Sequence, residues 1–293
     1  MNDYIQKAFC FDETVRIFAA TTTNLCNKAK NIHNLYPTSN TVLGEALTMG
    51  AIMGATYKNG EHITIRIDGD GPAGKLLVEA TRGSVRGYIS NKEVLLKYND
   101  GVLRTAEAVG KTGFINVTKL SELRKEPFTS TSQIIGKELA EDFTYYFAAS
   151  EQIPSSVGLG YKIDNSNNVI AAGGFLLQVM PGCTEETITK IEKLLKEVPS
   201  VSKMIEDGKT PEDMINVITA GEYKLLDRID LNYSCDCSKD KFYAGIKSLG
   251  VKEIESIINE EGKAEVKCNF CEKNYIYEKD ELKKMCDEIK ASI

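Results

Sequence analysis

The apolar positions of the chain change their period several times, and each change predicts a different element. ETVRIFAAT alternates, placing Val15, Ile17 and Ala19 on one face of an opening strand. Leu25, Ala29, Ile32 and Leu35 then recur at helical spacing. SNTVLGEALTMGAIMGATY predicts a second, mostly buried helix whose small residues allow close packing, with Asn40 or Thr41 as its cap. From 61 to about 180 the pattern turns to short β-type runs, HITIRIDGDG, GKLLVEAT, SVRGYIS, GFINVTKL and NNVIAAGGFLLQVMPG, broken by Gly, Asn and Asp turn signals. One stretch departs from this. In SQIIGKELAEDFTYYFAASEQIP, Ile134, Ile135, Leu139, Phe143, Tyr146 and Phe147 follow a helical period.

Beyond Pro181-Gly182 the chain becomes charged and helical. Thr184 can cap a helix with Glu185 and Glu186 in its first turn, and Ile188, Ile191, Leu194, Leu195 and Val198 then form one apolar stripe that Pro199 ends. Thr210-Pro211-Glu212-Asp213 is a second helix start, leading to Met214, Val217 and Ile218 before Gly221. Helices this short, joined by VPS and DGK breaks, are marginal alone, because nucleation is costly below roughly 12–15 residues. They must lean on something, and ordinary packing against the preceding body is the default for their stripes. In the segment from 230 onward, Phe242, Ile246 and Leu249 share one face. Ile254, Ile257 and Ile258 share another between stops at Gly250 and Gly262, and AEVKCNFCEKNYIY alternates as a hairpin. So small a core is thin. The expected fold class is α+β: an N-terminal α+β domain over 1–182, an amphipathic helical linker over 183–229 and a small C-terminal metal-binding domain over 230–293.

Composition narrows the function. The 293 residues carry 36 Lys+Arg against 42 Asp+Glu, a net charge of −6, so no overall field draws the chain to nucleic-acid phosphates or an anionic membrane. No apolar run approaches a membrane span, and MNDYIQKAFCFDETVRIF has acids where a signal peptide would be apolar, so the expected location is cytoplasmic. GDGPAGKL nearly matches a phosphate-cradling loop. Leu76 stands where a magnesium-ligating hydroxyl is needed, the following residues alternate as a strand, and Asp68 and Asp70 would repel phosphate. A hairpin turn is the better reading, and no nucleotide is expected.

Eight cysteines in such a chain do not suggest a disulfide framework. Cys235 and Cys237 form a CxC, and Cys268 and Cys271 a CxxC; two such pairs supply the four thiolates of a tetrahedral zinc site. His33 and His62 are not needed. Cys10, Cys26, Cys183 and Cys286 read as small hydrophobes, although Cys286, near the CxxC, could be an accessory thiol. Structural zinc contributes on the order of 10–16 kcal/mol in small metallodomains, so its loss should unfold this segment. Oxidation would cost the site two ligands per disulfide, and the close spacing makes each partner local. A Cys268–Cys271 bridge should form more easily than the tighter Cys235–Cys237 ring.

CDCSKDKF and CNFCEKNY, with GDGPAG, EDFTYYFAASEQIPSSVGLG and AAGGFLLQVMPG upstream, resemble the redox-regulated 33-kDa heat-shock chaperonin family through nearly the whole chain. The four cysteine positions show no departure; Cys183 and Cys286 receive no role from it. The resemblance implies an ATP-independent holdase that zinc keeps inactive under reducing conditions. Oxidation, usually with heat, would convert the ligands to Cys235–Cys237 and Cys268–Cys271 disulfides, release zinc and destabilise the linker. Unfolded or oxidatively damaged client proteins would then bind exposed apolar surface, including the stripes at 188–198 and 214–218, and the active form would be a homodimer. The competing reading is a static zinc ribbon binding nucleic acid or protein, for which Lys239, Lys241, Lys263, Lys267 and Lys273 lie near the cysteines. A thiol-disulfide oxidoreductase would need an activating helix start within a βαβ unit, which the pattern lacks. No catalytic set is evident, and the chain is not expected to be an enzyme.

Overall fold

The computed structural model describes residues 2–57, 61–96, 105–120 and 126–291. They form two compact units, Met1–Ser234 and Cys235–Ile293. Residues 183–229, set apart by the sequence as a linker, lie within the first.

The strands of that first unit are β1 (Tyr4–Cys10), β2 (Val15–Thr21), β3 (His62–Gly69), β4 (Lys75–Thr81), β5 (Ser84–Ile89), β6 (Gly113–Leu120), β7 (Phe128–Gln133), β8 (Ser155–Ile163), β9 (Val169–Val179), β10 (Tyr223–Asp230) and β11 (Asn232–Tyr233). Its helices are α1 (Thr23–His33), α2 (Pro37–Ala55), α3 (Ala106–Val109), α4 (Leu139–Tyr146), α5 (Glu185–Glu197), α6 (Val201–Glu206) and α7 (Pro211–Thr219), with a π-helical turn at Phe147–Glu151. One antiparallel sheet runs β10-β1-β2-β9-β8; the other runs β11-β5-β4-β3-β6-β7, antiparallel except where β11 joins β5.

Helix α2 lies between the two sheets, and every residue in it except Pro37 and Glu45 is buried. A helix buried on all sides has no solvent face to spare. Small residues permit the contact: a Cβ at Gly54 would come within 2.8 Å of the Thr81 carbonyl oxygen. The predicted cap is corrected. Tyr36 caps the helix, Pro37 takes its first position, and Asn40 and Thr41 lie inside it. Asn40 instead accepts from the Tyr161 hydroxyl at 2.7 Å and donates to Asn167 at 3.0 Å, tying α2 to β8 and the turn behind it.

The helical period assigned to 134–147 holds only from Leu139. Ile134 follows the edge strand β7, and Ile135 is exposed. Strands β1, β7, β8 and β10 fall outside the β-type runs of the sequence. β1 is covered on both faces, so it cannot alternate; its buried Gln6 amide donates to the carbonyls of Lys7, Leu226 and Asp227 across a bulge against β10.

The face of the first sheet that turns away from α2 is covered by α5, α6 and α7. Ala8, Cys10, Val15, Ile17, Ala19, Phe175 and Leu177 meet Ile191, Val201, Met204, Met214, Ile215 and Ile218 there. All three helices carry side-chain caps, Thr184, Ser200 and Thr210, the last in a reciprocal capping box with Asp213. The paired Gly160 and Gly173 of β8 and β9 form a shallow seat for α6. A Cβ at Gly160 would lie 2.3 Å from the Ser202 backbone nitrogen, and one at Gly173 would lie 2.5 Å from Ile205 Cδ1.

The second unit contains α8 (Lys239–Lys247), α9 (Val251–Glu260), the hairpin β12 (Lys263–Lys267) and β13 (Asn274–Glu278), and α10 (Lys279–Lys290). Helix α10, unread in the sequence, supplies Leu282, Met285 and Cys286 to a core completed by Ile246, Ile254, Ile258, Ala264 and Tyr277. The core is therefore fuller than the sequence suggested. Leu249, expected on the packed face of α8, lies past its end and is exposed.

Candidate metal centre

Cys235 and Cys237 lie just ahead of α8, whose start Ser238 caps by accepting from the Lys241 amide. Cys268 and Cys271 sit at the tip of the β12–β13 hairpin. There the Cys268 amide donates to the Lys273 carbonyl and the Glu272 amide to the Cys268 carbonyl, folding the tip into a tight knuckle, with Glu272 in the left-handed region. The two pairs converge. All four sulfurs lie within 4.8 Å of one another, with Cys235 to Cys268 at 3.7 Å and Cys237 to Cys271 at 3.3 Å.

A tetrahedron of Zn–S bonds about 2.3 Å long has edges of about 3.8 Å, so the tetrad has the size such an ion requires. Four soft sulfur donors with no carboxylate among them favour zinc over magnesium or calcium. The four cysteines can therefore hold a metal ion.

Two tyrosines on one face of β13 fasten the CxC segment to the hairpin. The Tyr275 hydroxyl lies 3.2 Å from Cys237 Sγ and donates to the Cys237 carbonyl at 3.1 Å; the Tyr277 hydroxyl donates to the Lys239 carbonyl. Sequence reading passed over both, although the alternation of NYIY does put them on the same face. Burial opposes ionisation of Cys237, but hydrogen bonds led by Tyr275 and then Cys271 outweigh it and bring the thiol down to about 7. Burial raises Cys235 and pushes Cys271 up to about 12. A bound cation would favour the thiolate at every position.

The other candidates lie elsewhere. Cys10 and Cys26 are buried in the first unit and Cys183 is half-buried beside α5, while Cys286 is in the core of the second unit, outside the tetrad. His33 is buried, its Nε2 near the Gly87 carbonyl and the Tyr233 hydroxyl; His62 is exposed at the start of β3. GDGPAG is the β3–β4 hairpin connection. The Asp70 carboxylate accepts from the Lys111 and Thr112 amides and the Thr112 hydroxyl, so the acid that would repel phosphate locks the loop to its neighbour.

Of the stripe residues, Ile191, Met214 and Ile218 are fully buried, whereas Ile188, Leu194, Leu195, Val198 and Val217 are half-buried. Ile215, which the stripe reading omitted, is also fully buried. Among the described residues no helix is long and apolar enough to cross a membrane.

Comparison with known proteins agrees across the chain. Residues 3–278 match the family described as Hsp33 protein. The 33 kDa chaperonin of Geobacillus sp. (strain WCH70) is 44% identical over 97% of each chain, and that of Bacillus cytotoxicus is 43% identical over 99% of this chain and 100% of its own. The crystal structure of the 33 kDa chaperonin (heat shock protein 33 homolog) from Thermotoga maritima superposes with a TM-score of 0.91 at 32% identity, covering 100% of both chains.

Proposed function

The chain belongs to the Hsp33 family, and on that premise we propose that it is a redox-regulated, ATP-independent chaperone, a holdase that keeps unfolding and oxidatively damaged proteins from aggregating in the cytoplasm. The observation that carries the redox part is the convergence of four cysteine sulfurs within 4.8 Å in a unit of 59 residues, Cys235–Ile293. When bound, zinc would fix the four thiolates as one cross-link between the CxC segment and the hairpin tip. Cys235 and Cys237, and separately Cys268 and Cys271, are the partners of the oxidised form, and each disulfide removes two ligands.

The chaperone part draws on the apolar surface between the β10-β1-β2-β9-β8 sheet and α5–α7. Detachment of those helices would bare Ile17, Ala19, Phe175 and Leu177 on the sheet and the 188–198 and 214–218 stripes on the helices, a patch suited to unfolded chains and to pairing of two copies. Helices of 13, 6 and 9 residues have little stability away from that surface. The chain leads from α7 through β10 and β11 directly into Cys235, so order at the cysteines bears on the strand that ends the helical segment.

A static zinc ribbon for nucleic acid is the weaker reading. Lys239, Lys241, Lys263 and Lys267 pair with Glu281, Asp236, Glu265 and Glu272, which leaves little cationic surface for phosphate.

Light scattering of a thermally unfolding client, without ATP, tests the proposal. Reduced, zinc-loaded protein should leave aggregation unchanged, and peroxide-treated protein should suppress it near stoichiometric ratio while a zinc-sensitive dye reports release. Zinc release with no gain in suppression would refute the proposal. The Cys→Ser quadruple variant should suppress aggregation without oxidant.

A further inference from the structure

Tyr275 pairs with Val266 across the hairpin, and its ring packs against Phe242 with centroids 5.1 Å apart. That packing aims a half-buried hydroxyl at one member of the tetrad, Cys237 Sγ, at 3.2 Å. Tyr277, two residues along the same face, makes the matching contact to backbone alone, at the Lys239 carbonyl. The molecule thus contains its own control: two tyrosine clasps on one loop, one of which also reaches sulfur.

We infer that the Tyr275 hydroxyl, whose single proton lies between the Cys237 carbonyl at 3.1 Å and the Cys237 sulfur at 3.2 Å, turns that proton to the sulfur when it is a thiolate, and so acts as its outer hydrogen-bond donor, a positioning residue that strengthens metal retention and slows oxidation of that sulfur. The inference rests on the zinc-tetrad reading. A coordinated thiolate keeps lone pairs that face away from the metal, and these are what a proton or a peroxide attacks. An O–H aimed at the sulfur draws on that density and orients the ligand. Outer partners of this kind typically account for 10- to 100-fold in metal affinity.

Peroxide oxidation requires the same lone pair. The sulfur attacks one peroxide oxygen, the O–O bond breaks, and the other oxygen leaves as water after taking a proton, so that sulfur loses two electrons to become a sulfenic acid. The neighbouring thiolate of Cys235 then attacks that sulfur and closes the S–S bond, and the departing hydroxide takes up a proton to leave as water. A hydrogen bond that holds the Cys237 lone pair slows the first step at the CxC pair. No tyrosine hydroxyl bonds to Cys268 or Cys271 among the contacts of the described tetrad, so the CxxC pair lacks this brake.

The test compares Tyr275→Phe with Tyr277→Phe in the full-length chain, loaded with zinc or with cobalt(II) as a spectroscopic probe. Tyr275→Phe should lower zinc affinity about 10-fold or more in chelator competition. It should also speed peroxide-driven formation of the Cys235–Cys237 disulfide, followed by mass spectrometry. The sulfur-to-cobalt charge-transfer band should move to lower energy while the d–d bands keep their tetrahedral pattern. Tyr277→Phe should leave the charge-transfer energy and the peroxide rate at parental values. An unmoved band in Tyr275→Phe, or equal changes in the two variants, would overturn the inference, because a purely structural clasp predicts that equality. A parent protein that took up neither ion would overturn the tetrad reading itself, and the role of Tyr275 with it.

Discussion

Gly160→Ala is the sharpest perturbation of the surface between the sheet and its covering helices. The added methyl would stand 2.3 Å from the Ser202 nitrogen, 2.8 Å from Val201 Cβ and 2.9 Å from the Val201 carbonyl carbon. Most of this obstacle is backbone in the first turn of α6 and cannot rotate away, so the helix must lift by about 1 Å to restore van der Waals contact. Overpacking of this kind costs about 1–3 kcal/mol. The seat it disturbs holds two fully buried side chains, Val201 and Met204, each stabilising by about 1.5–3 kcal/mol. The strain therefore removes a large share of what holds α6 down, and the detached population should rise by roughly 5- to 150-fold. Hydrogen exchange on reduced, zinc-loaded protein should show faster exchange across 201–206, and client aggregation should be partly suppressed without oxidant. Unchanged exchange in that stretch would show that the β8–β9 glycine pair does not govern docking, and the reasoning would fail.

Other consequences can be checked separately. Gly245 is inside α8, and a Cβ there meets nothing within 4 Å; Gly245→Ala should stabilise the second unit by about 0.5–1 kcal/mol and raise its melting temperature in the zinc-free state, measured by calorimetry. The thiols also set a pH dependence. Cys237 titrates near 7, and Cys235 and Cys271 keep their protons above that, so metal binding at neutral pH expels at least the protons of those two. Apparent zinc affinity should accordingly fall on acidification by at least about 100-fold per pH unit, more steeply below pH 7 as Cys237 also protonates. Chelator competition from pH 6 to 8 measures the slope, and a flat profile would contradict the assignment of these ligands.

Where one face of an element meets solvent, its pattern was readable in the sequence. β3, β4, β5 and β6 pair where alternation placed them, and Thr184 and Thr210 cap the helices they were expected to cap. Burial on two sides erases the contrast that periodicity needs, so such elements were readable only where a continuous apolar run marked them, as in β2 and β9. β1 was missed on this account, and the start of α2 was displaced to Asn40 or Thr41 because its polar first turn is itself buried, its side chains committed to β8 and nearby loops. Strands β7 and β10 failed for another reason: they are edges, and their polar residues resemble loop. At the tetrad, residue type and spacing were enough to nominate four cysteines. The tyrosine clasps depend on which carbonyl or sulfur lies opposite a strand residue, and spacing along the chain does not encode that.

The three covering helices do not hold equally, and their burial sets an order of release. Helix α5 is the longest at 13 residues, yet only Ile191 in it is fully buried, with Ile188, Leu194, Leu195 and Val198 half-exposed. Helix α6 buries Val201 and Met204, and α7 buries Pro211, Met214, Ile215, Ile218 and Thr219 within nine residues. α7 is further tied by the Tyr4 hydroxyl, which donates to Glu212 in its first turn while the Arg228 guanidinium lies 3.7 Å from the Tyr4 ring centre. With half-buried side chains counted at half, the apolar burial of α5 and α7 is similar, but α5 spans 13 residues against 9, and at about 1–2 kcal/mol of ordering entropy per residue α7 is the better held by several kcal/mol. Local opening draws on the least-held segment first. Amide protection in the reduced, zinc-loaded protein should therefore rise in the order α5, α6, α7, and Ile188, Leu194, Leu195 and Val198 should become accessible to a client before Met214 and Ile218. Exchange that reached α7 before α5 would mean that the helices leave as one body, and burial residue by residue would then say nothing about which surface a client meets first.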